Sequence, residues 1–267
     1  MTNPPIIDAL FCIPRSGTAA QISGCVPFTQ ELAPRMNASG ISGAVLAPRN
    51  CAECQHQWNC ADRRTHEIVA AVSRNPKQLS GLATYDSLRI GESLRWIDEA
   101  VTKGGLAGAY AQAECCVAGL DVPRMYPLYG LCAKLRAPVV IDFMSRQRWL
   151  LHRPQVEVVA ADFPELDILL ATPPHSDTAG ILRLMQRFPR ISFLLCPDEL
   201  QSDPVLCEYI ELHGRERALF RSSSAGWPPA VETAMALPLS PAALHAYLYE
   251  NATRLFNFQF EAEKLQA

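Results

Sequence analysis

No stretch of the 267-residue sequence reaches the roughly 18 uninterrupted apolar residues that a membrane span needs. The opening "MTNPPIID" also lacks the basic segment and apolar core of a secretory signal, so the expected location is the cytoplasm. Charge is scarce as well: Asp, Glu, Lys and Arg make up 19% of residues and the formal net charge is -3. That leaves no basic stripe to follow a phosphate backbone and argues against nucleic acid as a partner. There is no internal repeat, low-complexity tract or interdomain linker. Histidine is sparse, with six in the chain.

What is present is core-forming material. Hydrophobic residues make up 49%, the composition of a folded globular protein. Ten cysteines are spread along the chain, including the adjacent pair Cys115 and Cys116. In a signal-less chain of this size they read as reduced thiols and not as a disulfide framework.

Short β-branched or apolar runs alternate with longer amphipathic stretches, the pattern of βα units and a parallel sheet. Strands are expected at Ile6–Ile13, 42–48, 79–85, 106–112, 138–144, 166–172, 191–196 and 218–223. Helices are expected at Glu67–Arg74, Ile90–Lys103, Pro127–Arg136, Asp177–Phe188, Pro204–His213 and Pro241–Phe256. The clearest is the helix at 90–103, where Leu94, Ile97, Ala100 and Val101 recur at helical spacing and "KGG" marks its end. Eight such units in about 250 residues predict one α/β domain over residues 1–267, a (β/α)8 TIM barrel. Irregular regions are expected at 14–27, 49–62 and 224–230. These follow strands 1, 2 and 8, on the face where such barrels keep their sites.

The segment "RNCAECQHQWNCADRRTH" places Cys51, Cys54 and Cys60 at C-x2-C-x5-C spacing, with His56 and His66 close by. A Cys-x2-Cys pair lets two thiolates meet one Zn tetrahedrally, and Cys60 with either histidine could complete the shell. The usual second pair is missing. Three readings of this irregular Cys-rich loop, about 49–66, remain open: a structural zinc, reduced thiols around Trp58, or a redox pair. A zinc held by four protein ligands would shape the loop and leave no open position for substrate.

Several segments, in order, resemble the amidohydrolase superfamily, in the amidohydrolase-related branch that includes the aminocarboxymuconate semialdehyde and γ-resorcylate decarboxylases. "IIDALFCIP" is similar to the branch's opening Ile-Asp-x-His-x-His strand, "LSGLATYD" to the strand after Pro-x-x-Phe, and "AVTKGGLAGAYAQ" to its Gly-x-x-Gly strand. "YPLYGLCAKLRAPVVID" resembles the stretch ending Leu-Pro-Val-x-x-His, and "FPELDILLAT" the Pro-Glu-Leu strand that ends in His. "RALFRSSSAGWP" resembles Arg-x-x-x-Gly-Ser-Asp-x-Pro, and "LYENATRLFNF" the closing Asn-Ala-x-Arg-Leu helix.

The resemblance implies a metal held by the paired histidines of strand 1, histidines ending strands 5 and 6, and an aspartate ending strand 8. Carried over, these positions hold Leu10 and Cys12, Asp142, Thr172 and Ser223. Leu10 cannot ligate, and Thr172 and Ser223 are poor neutral ligands. Cys12 and Asp142 could coordinate, with Asp8 on the same strand and His175 just beyond strand 6. The expectation is therefore a vacated metal site, with Cys12 filling space and Asp142 hydrogen-bonded at the mouth. Arg221 could stand in for the metal by pairing with Asp142. A triad of Ser222 or Ser223 with His175 and Asp142 is a further arrangement, and Trp227 either lines a pocket or packs.

Three functional readings follow. The first is a non-catalytic structural or regulatory subunit, in a homo- or hetero-oligomer with an active amidohydrolase-like partner. The second is an active hydrolase or lyase with a rearranged metal or thiol site. The third is a barrel that binds a small molecule at its mouth. No cofactor is implied beyond zinc at the Cys-rich loop.

Overall fold

A computed structural model describes residues 4–13, 25–48, 60–113, 116, 119–171, 177–222 and 226–258, without the side chains of 13, 25–30 and 60–64. Eight parallel strands run in chain order: β1 (Ile7–Ile13), β2 (Gly43–Pro48), β3 (Leu79–Thr84), β4 (Gly108–Gln112), β5 (Val139–Asp142), β6 (Ile168–Ala171), β7 (Ile191–Leu195) and β8 (Ala218–Phe220). Each pairs with its neighbour to make a nearly closed (β/α)8 barrel. No ladder joins β8 back to β1 among the described residues.

Period-two alternation along each strand sends one set of side chains inward and the other against the helices. The inner cluster takes one residue from every strand: Ile7, Val45, Leu82, Tyr110, Val140, Leu169, Leu194 and Leu219. An irregularity in β1 between Asp8 and Phe11 places Ala9, Leu10 and Cys12 with the same cluster. At the opposite end from the mouth, α11 (Asn251–Phe256) contributes Leu255 and Phe256 to that cluster. The Asn251 amide donates to the carbonyl of Ala218, the first residue of β8, at 2.8 Å.

The outer ring begins with α1 (Cys25–Ala38), α2 (Cys60–Arg74), α3 (Ile90–Thr102), α4 (Tyr126–Leu135), α5 (Arg146–Asp162) and α6 (Thr178–Arg187). It continues with α7 (Pro197–Ser202), α8 (Pro204–Tyr209), α9 (Trp227–Met235) and α10 (Pro241–His245). All eight predicted strands are present. The predicted helices at 204–213 and 241–256 each pass through a π-helical turn, at Ile210–Gly214 and Ala246–Glu250.

Three expectations need correction. Residues 25–27, placed in an irregular region, already open α1. The segment at 49–66 is not irregular throughout, because residues 60–66 already belong to α2. Trp227 opens α9, so 227–230 is helix; Pro228 and Pro229 lack the N–H groups that a first turn leaves unused. Helix α5 was not foreseen, since its apolar residues do not gather on one side. Trp149, Val156 and Val159 are buried whereas Leu150, Leu151 and Val158 are exposed.

Candidate functional site

The next inward positions after the apolar layer are polar on four strands: Thr84 (β3), Gln112 (β4), Asp142 (β5) and Arg221, which follows β8. With Cys12 they define the mouth at the C-terminal ends of the strands, where (β/α)8 barrels carry their chemistry. Asp142 is buried and accepts a 2.7 Å hydrogen bond from the hydroxyl of Tyr110, in the apolar layer below. Thr84 Oγ1 is buried with no hydrogen-bond partner among the described residues.

Arg221 is the charged centre of this end. Its guanidinium lies 3.9 Å from the carboxylate of Glu199, on α7, with both side chains largely buried. Burial opposes its charge, but the neighbouring Cys196, Glu199, Asp142 and Cys12 outweigh that cost and raise its pKa. Burial pushes the Cys196 thiol up to about 12, so at neutral pH it stands beside Arg221 as a neutral group. Glu199 also accepts the backbone N–H of Cys196 at 2.7 Å, which fixes the start of α7. The phenol of Tyr247 donates to the carbonyl of Leu195, below the same turn, at 2.8 Å.

Asp8 forms a second cluster, between β1 and β8. It is fully buried and accepts four hydrogen bonds: from the N–H groups of Leu10 and Ser222 at 3.2 Å, the Ser222 hydroxyl at 2.6 Å and the Trp227 indole at 2.7 Å. Burial raises its pKa, and the bonds from Ser222 and Trp227 offset only part of the shift. This carboxylate links β1 to the end of β8 across the seam that no ladder closes among the described residues.

Of the residues singled out in the sequence, Leu10 is buried in the inner cluster and Cys12 is half-buried beside it. Asp142 is hydrogen-bonded at the mouth as expected. Arg221 feels the charge of Asp142, and more strongly that of Glu199, with which it forms an ion pair at 3.9 Å. Trp227 packs, with its ring 4.5 Å from that of Phe11. Ser222 donates its hydroxyl proton to Asp8. Cys116 is buried and its thiol donates to the Gln112 carbonyl at 3.4 Å. His66 is exposed, edge-on to Trp96 at 4.6 Å.

Thr172, His175, Ser223, Cys51, Cys54, His56, Cys115 and the side chain of Cys60 lie outside the described residues. Among those described, no group of three His, Cys, Asp or Glu stands together as a metal site. Sequence reading missed Tyr110 and Glu199. Glu199 had a signal, the spacing of Cys196-Pro-Asp-Glu that suits a carboxylate closing back on a helix start. Tyr110 sits 32 residues from Asp142 and had none.

These features define a (β/α)8 barrel whose ionisable groups are gathered at the C-terminal mouth. The family model described as Amidohydrolase matches residues 28–258, and the chain belongs to that family.

Solved structures show the same fold. An uncharacterised TIM-barrel protein from Bordetella bronchiseptica is 18% identical, with a TM-score of 0.74 over 95% of this chain and 99% of that one. The 5-carboxyvanillate decarboxylase of Novosphingobium aromaticivorans, complexed with manganese and 4-hydroxy-3-methoxy-5-nitrobenzoic acid, is 13% identical, with a TM-score of 0.72 over 95% and 96%. The 2,6-dihydroxybenzoate decarboxylase from Rhizobium is 15% identical, with a TM-score of 0.71 over 96% and 99%. No curated protein matches the sequence significantly. No helix among the described residues is long and apolar enough to cross a membrane.

Proposed function

We propose that this barrel is a non-catalytic member of the amidohydrolase family, serving as a structural or regulatory subunit alongside an active relative. The observation that carries the reading is the buried, charged Arg221 standing with Glu199 and Asp142 at the mouth. A guanidinium does not deprotonate in proteins. Its fixed charge balances the carboxylates that a divalent ion would otherwise neutralise, and it repels such an ion.

The donor set points the same way. A catalytic Zn or Mn site needs several imidazole or carboxylate lone pairs converging on an open position. The strand positions that the family resemblance assigns to ligands offer only Cys12 and Asp142 among the described residues, and Leu10 has no lone pair to give. These residues do not fit the metal that the family implies, so no step is derived through one.

The test is to purify the chain alone and with the product of its genomic neighbour, from cells grown with added Zn or Mn. Metal per chain and decarboxylation of 2,6-dihydroxybenzoate are then measured. The expected result is well under one metal per chain and no turnover by the chain alone. Stoichiometric metal that disappears in a Cys12→Ala/Asp142→Asn variant would overturn the reading. Metal lost instead with Cys51→Ser places an ion in the Cys-rich loop and leaves the barrel reading intact.

A further inference from the structure

Arg148, His152 and Gln155 stand four and three residues apart on α5, so their side chains meet on one side of the helix. That side meets the segment joining β4 to α4. Gln155 Oε1 accepts the backbone N–H of Leu120 at 2.8 Å. Gly119 makes room for the amide. Its φ is +117°, and a Cβ there would stand 2.8 Å from Gln155 Nε2, so the close approach requires glycine.

These contacts fix the charge on His152, which is 4% exposed. A backbone N–H can only donate, so the Gln155 atom facing Leu120 is the amide oxygen. The same oxygen lies 2.8 Å from His152 Nδ1, which therefore carries a proton and donates it. On the far side of the ring, Nε2 lies 3.5 Å from Nη1 of Arg148, and a guanidinium has only protons to offer. Nε2 is the acceptor, and the imidazole is neutral.

A second proton on that ring would turn an imidazolium N–H toward a guanidinium N–H, donor against donor and charge against charge. Across from α5, the titratable groups at this junction are Cys116 and Asp121 on the segment and Tyr129 on α4. Burial holds the Tyr129 phenol well above its ordinary range, so it stays protonated and donates to the Leu120 carbonyl at 2.9 Å. Asp121 is the one carboxylate among them, and His152 bonds Gln155 and Arg148 instead. Histidine is the side chain whose charge changes between about pH 5 and 8.

We propose that His152 and Gln155 form a proton-sensitive latch: neutral His152 holds the Gln155 amide against Gly119 and Leu120, and protonation releases that stretch. The latch is tied to the mouth. The Gly119 N–H donates to the Cys116 carbonyl at 3.1 Å, and the Cys116 thiol to the carbonyl of Gln112 at 3.4 Å. It does not depend on whether the mouth is catalytic.

The experiment is hydrogen exchange on the full chain, with each amide rate corrected for the pH dependence of exchange itself. The Leu120 N–H is the reporter, and the Ala44 N–H, bonded to the Gln78 carbonyl in another part of the barrel, is the reference. From about pH 7.5 to about 5.5, protection of Leu120 is expected to fall about tenfold or more while that of Ala44 holds. His152→Gln supplies the same donor and acceptor without a charge, and should keep Leu120 protected at both values. Arg148→Met removes the opposing cation, so a protonated ring can still donate to Gln155 and protection should persist in acid. Circular dichroism melts check that the variants fold, and if His152→Gln does not, Arg148→Met decides alone. Wild-type protection that ignores pH, a fall as steep in either folded variant, or a fall shared by Ala44 would each overturn the proposal.

Discussion

Asp8 accepts four hydrogen bonds and still holds its proton more tightly than an ordinary aspartate, which means that its burial outweighs its partners. The consequence for stability has a definite sign. With the folded pKa raised, the native state binds the proton more readily than the unfolded chain. Asp8's contribution is then full below the ordinary aspartate range near 4 and is lost as pH rises through the folded value. Asp8→Asn keeps the shape and removes the titration. Unfolding free energies of wild type and variant between about pH 3.5 and 7 should therefore differ most favourably for wild type at the acid end, and the difference should shrink as pH rises. A difference that grows with pH would mean that the four donors win over burial.

At this scale the sequence was partly legible. Asp142 was expected at the mouth, hydrogen-bonded, and is there. Asp8 was placed by analogy with a metal strand, and its actual partners, Ser222 and Trp227, lie more than 200 residues away, where no local pattern could reveal them.

At the scale of elements, what could be read followed from amphipathicity. Helix α3 shows a buried stripe of Ser93, Ile97 and Ala100, and the sequence located it within one residue at its C-terminal end. Helix α5, whose apolar and polar residues are mixed around its circumference and which has Pro154 inside, gives no such period and was invisible. Its neighbour α6 was legible at its start as well. Asp177 caps it, accepting the N–H of Gly180 at 3.1 Å, and also pairs with Arg153. Asp177→Ala removes the cap and leaves a partly buried guanidinium with one partner fewer. A loss of about 1–2 kcal/mol is expected from urea unfolding, with little change in the slope. Asp177→Asn, which keeps the cap and weakens the pair, should lie between the variant and wild type.

For the whole molecule, the barrel was readable because eight apolar runs at regular spacing leave few other ways to bury them. Their ends were less so: 106–112 was expected where β4 starts at Gly108, and 218–223 where β8 ends at Phe220. Those ends decide which side chains reach the mouth, and so the site was harder to read than the scaffold. Seven ladders and a hydrophobic interior hold most of the barrel. The eighth junction, between β8 and β1, shows no ladder among the described residues and is bridged at its upper end by the bonds to Asp8.

That junction bears on the order in which the barrel forms and comes apart. The Ser222 and Trp227 bonds to Asp8 span 214 and 219 residues of chain, so closing them is among the costliest loop closures in the molecule. Contacts of that kind are therefore expected to form after the folding barrier is crossed and to be released early. Trp227→Phe keeps the ring on Phe11 but deletes one bond to a buried carboxylate, worth about 1.5–3 kcal/mol. In stopped-flow measurements that loss should appear as unfolding on the order of tenfold faster or more, with the refolding rate almost unchanged. The seam is thus a kinetic clasp, which sets how long the closed barrel lasts more than how quickly it is made.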